Sequence, residues 1–362
     1  MKSSNSSTQK VSKANENQTS QGLIIQNYSN SILEQGEVNF SEDEKLKTYQ
    51  SQINNSIRLA KAHATRYINV IQPSIIQNIS NIGNYYNLHQ VIATQLPENA
   101  TKEEWLEVLG ALKQEAINYE KTSRSTVILI QDLHSNLAVD SSSFSTTVDN
   151  LNNVLNGDKG VLSTLKNELG SIQGKISGAI AGMAVSGFVI MGGVFIILIG
   201  SVADFITAGT SLPIVFGGVA MLVSGVSGEV GSAITFATLN NAKNKLISEE
   251  VQLADEVKLS LLMSTAYEEY VTQLHAAMTA STTMANAWQF LISDIEQYEN
   301  DLSSGIMSPA DFLRTMFLGL ANEEAKAILK DINNIKKQMT GVRTVVAKPG
   351  QTISQLVESE AK

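Results

Sequence analysis

The chain lacks cysteine altogether and contains little proline or aromatic residue, and each absence excludes a class of protein. With no cysteine among 362 residues, thiolate catalysis, disulfide bonds and cysteine-based zinc sites are all excluded. Five prolines and 6% aromatic residues, in a background rich in Ala, Leu, Gln, Glu and Lys, favour long helices over sheets. The net charge of −9 argues against nucleic acid as a partner, because phosphate binding needs clustered Lys and Arg.

Residue patterns that carry enzymatic chemistry are also missing. The histidines stand far apart on predicted helices without a metal-ligand spacing, which favours surface or packing roles: His63, His89, His134 and His275. The glycines between Gly225 and Gly231 belong to no phosphate-binding loop. We therefore predict that the chain is not an enzyme and binds no metal or cofactor.

The first hundred residues predict a disordered tail followed by helices. Residues 1–20 are polar and are predicted to be disordered. An apolar stripe predicts a first helix over 22–35, ended by Gly36. Ser41, followed by three acidic residues, predicts the start of a helix that runs to about Thr94, with a kink at Pro73.

The rest of the chain outside its central apolar stretch is also helical in pattern. Thr101 and Glu104 form a capping-box signature that opens a helix running to Lys175, with slack at 140–143 and 156–160. Its second half carries a heptad repeat that continues to Ile176. Further helices are predicted from 231 to about 300 and from 308 to about 340, and no segment shows the alternation of a strand. The sequence thus predicts an all-α, elongated up-and-down bundle of four to five long helices with an inserted apolar hairpin head domain.

Residues 176–228 form an apolar block whose single charged residue is Asp204. The block is about twice the length of one membrane span, which predicts two arms. A turn is predicted near Asp204, Gly209 and Pro213. The residues predicted to insert into a membrane are Ile176, Phe188, Val194, Phe195, Ile197, Phe205, Phe216 and Leu222.

Eleven of the 24 glycines lie in this block. Glycine permits close helix approach and weakens helices, which suits a segment with one conformation in water and another in lipid. The candidate hinges in and around the block are Gly174, Gly192, Gly193, Gly217, Gly218, Gly228 and Gly231.

These patterns predict four regions along the chain. Residues 1–20 are the N-terminal tail, and residues 21–175 with 230–343 are the helical bundle. Residues 176–229 are the hydrophobic head, a transmembrane hairpin, and residues 344–362 are a C-terminal tail. The polar N-terminus has no apolar signal segment, so an exported form is expected to leave the cell without a conventional signal peptide. A constitutive two-span membrane scaffold or receptor-like protein, acting through its coiled coils, is the alternative.

Long helices with an apolar hairpin of about 50 residues between the third and fourth resemble the cytolysin A family of α-helical pore-forming toxins. That family includes haemolysin BL and the non-haemolytic enterotoxins. The stretch GLIIQNYSNSILEQ near the start adds to the resemblance, which is greatest to the B component of Gram-negative tripartite toxins. The resemblance implies a soluble monomer that inserts its hairpin into the bilayer of a target cell. There it forms a homo-oligomeric pore with A and C partner components.

Overall fold

The computed structural model describes most of the chain outside the apolar block and the C-terminal region. The described residues are 3–35, 37–38, 40, 44–95, 100–186, 197–199, 220–224, 238–239, 242–243, 245–247, 249–250, 252–308, 329, 332, 339 and 342–346. Among them no helix is both long enough and apolar enough to cross a membrane.

Six long helices dominate the described residues. They are α1 (Ser3–Glu34), α2 (Glu44–Arg66), α3 (Gln72–Gln95), α4 (Lys102–Val154), α5 (Lys159–Ser186) and α6 (Asp255–Ser303). Three short strands, β1 (Ile197–Ile199), β2 (Ala220–Ser224) and β3 (Val342–Val346), form an antiparallel sheet in the order β1-β2-β3. The prediction of an all-α bundle of long helices is confirmed, with this small sheet added to it.

The prediction that residues 1–20 are disordered is wrong, because α1 begins at Ser3. Val11 and Ala14 are buried, and the Nε2 atom of Gln18 donates a hydrogen bond of 3.1 Å to Ser281 Oγ. The Lys10 ammonium lies 4.1 Å from the centroid of the Phe290 ring. Local composition predicts disorder because it has few apolar residues, whereas long-range contacts with α6 order the helix.

The long helix predicted across Pro73 is confirmed, and its irregularity lies just before the proline. Residues Tyr67–Ile71 form a π-helical turn between α2 and α3. Proline has no N–H to donate to the preceding turn, and a local π-turn is one way in which a helix accommodates that loss.

The single helix predicted from Thr101 to Lys175 is instead two helices. The capping box at its start is present, since Thr101 N donates to Glu104 Oε2 (2.7 Å) and Glu104 N donates to Thr101 Oγ1 (3.2 Å). The chain breaks after Val154, where Asn156 has a left-handed backbone with φ of 55°. Asp158 Oδ1 then accepts the backbone N–H of Gly160 at 2.7 Å and caps α5. The break coincides with the predicted slack at 156–160, and α4 is continuous through 140–143.

The chain divides into two compact units. The first unit, Met1–Thr19 with Ile71–Ile130 and Ala277–Lys337, buries Trp288 against Tyr85 and Tyr119, with ring centroids 5.6 and 5.2 Å apart. The second unit, Ser20–Val70 with Gln131–Ala276 and Gln338–Lys362, is described separately below. The predicted division into a bundle and a head stays a prediction.

Strand β3 corrects two further expectations. No strand was predicted outside the apolar block, and the C-terminal tail was expected to begin at 344, yet Val342–Val346 pairs with β2. The sequence VRTVV is rich in β-branched residues, which fit a pleated strand. A five-residue segment is too short to show its period, so its conformation depends on the strand beside it.

Candidate membrane-insertion head

Helix α5 runs without interruption from the bundle into the apolar block. It begins at Lys159, carries a buried Ile176, and continues to Ser186, ten residues beyond Ile176. The prediction that the helix passes into the first arm without a linker is therefore confirmed over this length, and the heptad register beyond Ile176 stays a prediction. Gly174 lies inside the helix, and a Cβ atom added there would contact nothing within 4 Å. Packing does not require glycine at this position, and its role as a hinge stays a prediction.

The described parts of the apolar block beyond α5 are two paired strands. Ile197 is the Cα partner of Leu222, Leu198 of Met221, and Ile199 of Ala220. The antiparallel register makes the two arms run in opposite directions, as the predicted hairpin requires. The midpoint in sequence between Ile199 and Ala220 falls at Gly209 and Thr210, inside the segment predicted to turn.

The second strand of the block also pairs with the C-terminal strand. Val223 is the Cα partner of Arg343, and Leu222 is the partner of Thr344, in a five-residue ladder. The strand β2 thus lies between β1 and β3, so that its backbone pairs on both edges. Sequence reasoning did not find this ladder, because its two strands lie more than a hundred residues apart.

At the entrance to the apolar block, Ser177 of α5 is held by side chains from α1 and α6. Its hydroxyl donates a hydrogen bond of 2.6 Å to Glu269 Oε1 and lies 2.8 Å from the Tyr28 hydroxyl. Gln273 Nε2 donates to the same Glu269 oxygen at 2.7 Å. Ser177 and Tyr28 are buried, so these bonds are shielded from water.

Tyrosines extend this cluster into the core of the second unit. The Tyr28 and Tyr270 rings stack with centroids 6.2 Å apart, and Tyr270 Oη lies 2.7 Å from Ser29 Oγ. Burial, followed by the charge of Glu269, raises the pKa of Tyr28 well above its ordinary value. Tyr28 therefore stays protonated and can donate its hydroxyl proton to an acceptor.

A second set of contacts holds α5 about three helical turns before Ser177. Lys166 Nζ lies 2.7 Å from Glu268 Oε1 and donates a hydrogen bond of 2.8 Å to Ser145 Oγ. Tyr267, beside Glu268, packs on Phe144 with ring centroids 5.3 Å apart. The N-terminal part of α5 is thus joined to both α4 and α6.

Many predicted site residues lie outside the described residues. Of the insertion residues, Ile176, Ile197 and Leu222 are in α5, β1 and β2. Those outside the described residues are Phe188, Val194, Phe195, Phe205 and Phe216. The turn residues Asp204, Gly209 and Pro213 also lie outside them, as do the hinge candidates Gly192, Gly193, Gly217, Gly218, Gly228 and Gly231.

The structure brings together two histidines that the sequence separates. The His134 ring on α4 and the His275 ring on α6 have centroids 5.7 Å apart, with an angle of 50° between their planes. His63 instead pairs with Asp140, with 2.7 Å between Nε2 and Oδ2. Within the described ranges, no three His, Asp or Glu side chains cluster as a metal site would require.

Comparison with known proteins agrees with this architecture. The family description of Bacillus haemolytic enterotoxin (HBL) matches residues 5–179. The structure is similar to soluble AhlB of the tripartite α-pore-forming toxin of Aeromonas hydrophila, at 40% identity and a TM-score of 0.85. That similarity covers 97% of this chain and 99% of AhlB. None of the curated protein sequences compared with the chain matches it.

Two further structures complete the comparison. Soluble SmhB of the tripartite toxin of Serratia marcescens has 35% identity and a TM-score of 0.84, covering 98% of this chain and 99% of SmhB. The pore form of AhlB has 34% identity and a TM-score of 0.64, covering 94% of this chain and 100% of that one. The chain belongs to the family of α-pore-forming toxins. Within that family it is similar to the AhlB and SmhB components of tripartite toxins, and its described conformation matches their soluble form.

Proposed function

We propose that this protein is the B component of a tripartite pore-forming toxin and that the structure shows its soluble state. The observation that carries the proposal is the near-complete match to soluble AhlB, combined with the pairing of β1 and β2, the described strands of the apolar block. The block would be too apolar to stay exposed in water, and strand pairing engages the backbone of β2 on both edges and that of β1 on one.

Insertion converts the paired strands into two helical arms. In lipid every backbone polar group must be satisfied within the spanning structure, which a two-stranded hairpin cannot achieve and two helices can. Helix α5 supplies the template, because it already runs from the bundle into the first arm. The lower TM-score to the AhlB pore than to soluble AhlB, 0.64 against 0.85, supports a large rearrangement between the two states.

The inserted arms lie in the bilayer of a target cell after export of the soluble protein. Their surface is apolar around most of the helix, so it suits contact with lipid better than a water-filled lumen. Several copies of the chain therefore associate in the membrane. Partner components of the A and C type, one of them amphipathic, complete the conducting pore.

Two aspartates placed in the first arm test the proposal. Val194→Asp with Ile197→Asp puts two carboxylates in the first arm, each costing about 2.5–3.5 kcal/mol at the centre of a membrane helix. With candidate A and C components added, we expect leakage from protein-free liposomes to fall at least tenfold, while circular dichroism of the variant remains helical. Val139→Asp is the matched control, because Val139 is 69% exposed on α4, outside the block.

Full leakage by the double variant would contradict insertion of this arm. Purification tests the alternative of a constitutive two-span scaffold, since such a membrane protein needs detergent from the first step. Detergent-free purification followed by insertion into liposomes is the outcome we expect.

A further inference from the structure

The pair formed by His134 and His275 lies in the second unit, between α4, which precedes the apolar block in sequence, and α6, which follows it. His134 is half-buried and His275 is exposed, so solutes reach the pair from water. Neither residue has a part in the insertion chemistry proposed above. The geometry of the two rings therefore needs a separate explanation.

We propose that His134 and His275 form a binding site for a divalent late transition-metal ion of the zinc class. Imidazole nitrogens bind Zn²⁺ at about 2.0–2.1 Å, which places the metal roughly 3.2 Å from each ring centroid. At a tetrahedral angle two such rings have centroids about 5.2 Å apart, and a slightly wider angle gives the 5.7 Å found between these rings. The distance between the rings thus admits one ion when a nitrogen of each ring faces it.

The protonation of the pair also favours a metal. Metal binding needs neutral imidazole, since a protonated ring has no lone pair to give. Burial, followed by the charge of His275, holds the pKa of His134 below its ordinary value, so this ring is neutral at pH 7.

The ligand set decides which ions bind. No third His, Asp or Glu joins the pair within the described residues, so water completes the coordination sphere and the ion exchanges readily. Two imidazole nitrogens suit Zn²⁺, Ni²⁺ and Cu²⁺, whereas Ca²⁺ and Mg²⁺ need oxygen ligands. The bound ion joins α4 to α6.

Calorimetric titration of the full-length protein with ZnCl₂ at pH 7.5 tests the site. We expect one Zn²⁺ per chain, and a rise in Tm of about 2 °C at a free Zn²⁺ concentration ten times the Kd. EDTA should reverse the rise in Tm. His134→Gln and His275→Gln should each weaken binding at least tenfold, because each leaves a single protein ligand.

His63→Gln is the matched control, since it also removes one histidine from the second unit but lies at a separate ion pair with Asp140. It should leave the Zn²⁺ affinity unchanged. His275 is exposed, so His275→Gln keeps the test valid if His134→Gln fails to fold. Absence of Zn²⁺ binding, or binding that both glutamine variants retain, would overturn the proposal. Liposome leakage in EDTA reports on pore formation alone, so failure of the metal site is distinguishable from failure of the proposed function.

Discussion

A disulfide between β2 and β3 should hold the protein in its soluble state. The change is Leu222→Cys with Thr344→Cys, two residues that are Cα partners in the ladder. Partners in an antiparallel ladder have Cα atoms about 4.5–5.5 Å apart, and disulfides span about 4.4–6.8 Å. The chain has no native cysteine, so the engineered bond has no competitor.

The structure allows the size of the effect to be estimated. In the proposed insertion Leu222 enters the hydrocarbon, and the disulfide would draw Thr344 in with it. The neighbouring Arg343 would then enter the membrane at a cost of about 2.5–3.5 kcal/mol. A cost of that size corresponds to at least a tenfold loss of insertion.

Dye leakage from liposomes measures this effect in the oxidised and reduced protein. We expect background leakage from the oxidised double variant and recovery after dithiothreitol. The single variants Leu222→Cys and Thr344→Cys should leak equally in both conditions, which controls for the substitutions themselves. If the oxidised protein, with its cross-link verified by mass spectrometry, leaks as fast as the reduced one, then β2 does not need to leave β3 and the reasoning is refuted.

Three further predictions concern the stability of the bundle, with urea denaturation as the measurement. Trp288→Ala should lower the free energy of unfolding by about 3–5 kcal/mol because the ring is fully buried. Phe290→Ala, at a half-exposed position two residues on, should lower the free energy of unfolding by about 1 kcal/mol or less. Equal losses for the two variants would contradict the burial of Trp288. Thr101→Ala removes the capping box with Glu104 and should lower the free energy of unfolding by about 1 kcal/mol. An unchanged free energy of unfolding would show that the N-terminus of α4 frays and that the cap does not stabilise it. Burial, followed by the charge of His275, holds the folded pKa of His134 below its ordinary value of 6.5. The stability that the neutral ring contributes is therefore present above about pH 6.5 and is lost as the pH falls through the folded pKa. His134→Gln should therefore flatten the fall in stability below pH 6.5, and an unchanged pH profile would show that the pair is not responsible.

The elements that the sequence predicted correctly are those that neighbouring residues specify. The capping box at Thr101, the irregularity near Pro73 and the break at 156–158 each depend on residues within a few positions of one another. The continuous helix from Lys159 through Ile176 into the first arm follows from the same kind of local repeat. In these places the hydrogen bonds that define the element close within one or two turns, so the residues present specify them.

The features that the sequence did not predict share one physical cause, which is that each depends on residues distant in the chain. The helix at residues 3–19 is ordered by Val11 and Gln18 against other parts of the bundle, although its composition favours disorder. Strand β3 forms because β2 lies beside it, and five β-branched-rich residues alone do not specify a strand. Neither the pairing of His134 with His275 nor the contacts of Ser177 can be read from spacing, because their partners are distant in the chain.

The sequence by itself determined that this is a helical protein with an apolar block long enough for two membrane spans. Composition and period are sufficient for that conclusion, because the length of an apolar run and the thickness of a bilayer are both fixed quantities. Only the tertiary structure decided how the chain carries that block in water. Strands β1 and β2 pair in antiparallel register, β3 pairs with β2 from the far end of the chain, and Ser177 is bonded to α1 and α6. These contacts exist only once distant segments meet, which is why the folded structure was needed to find them.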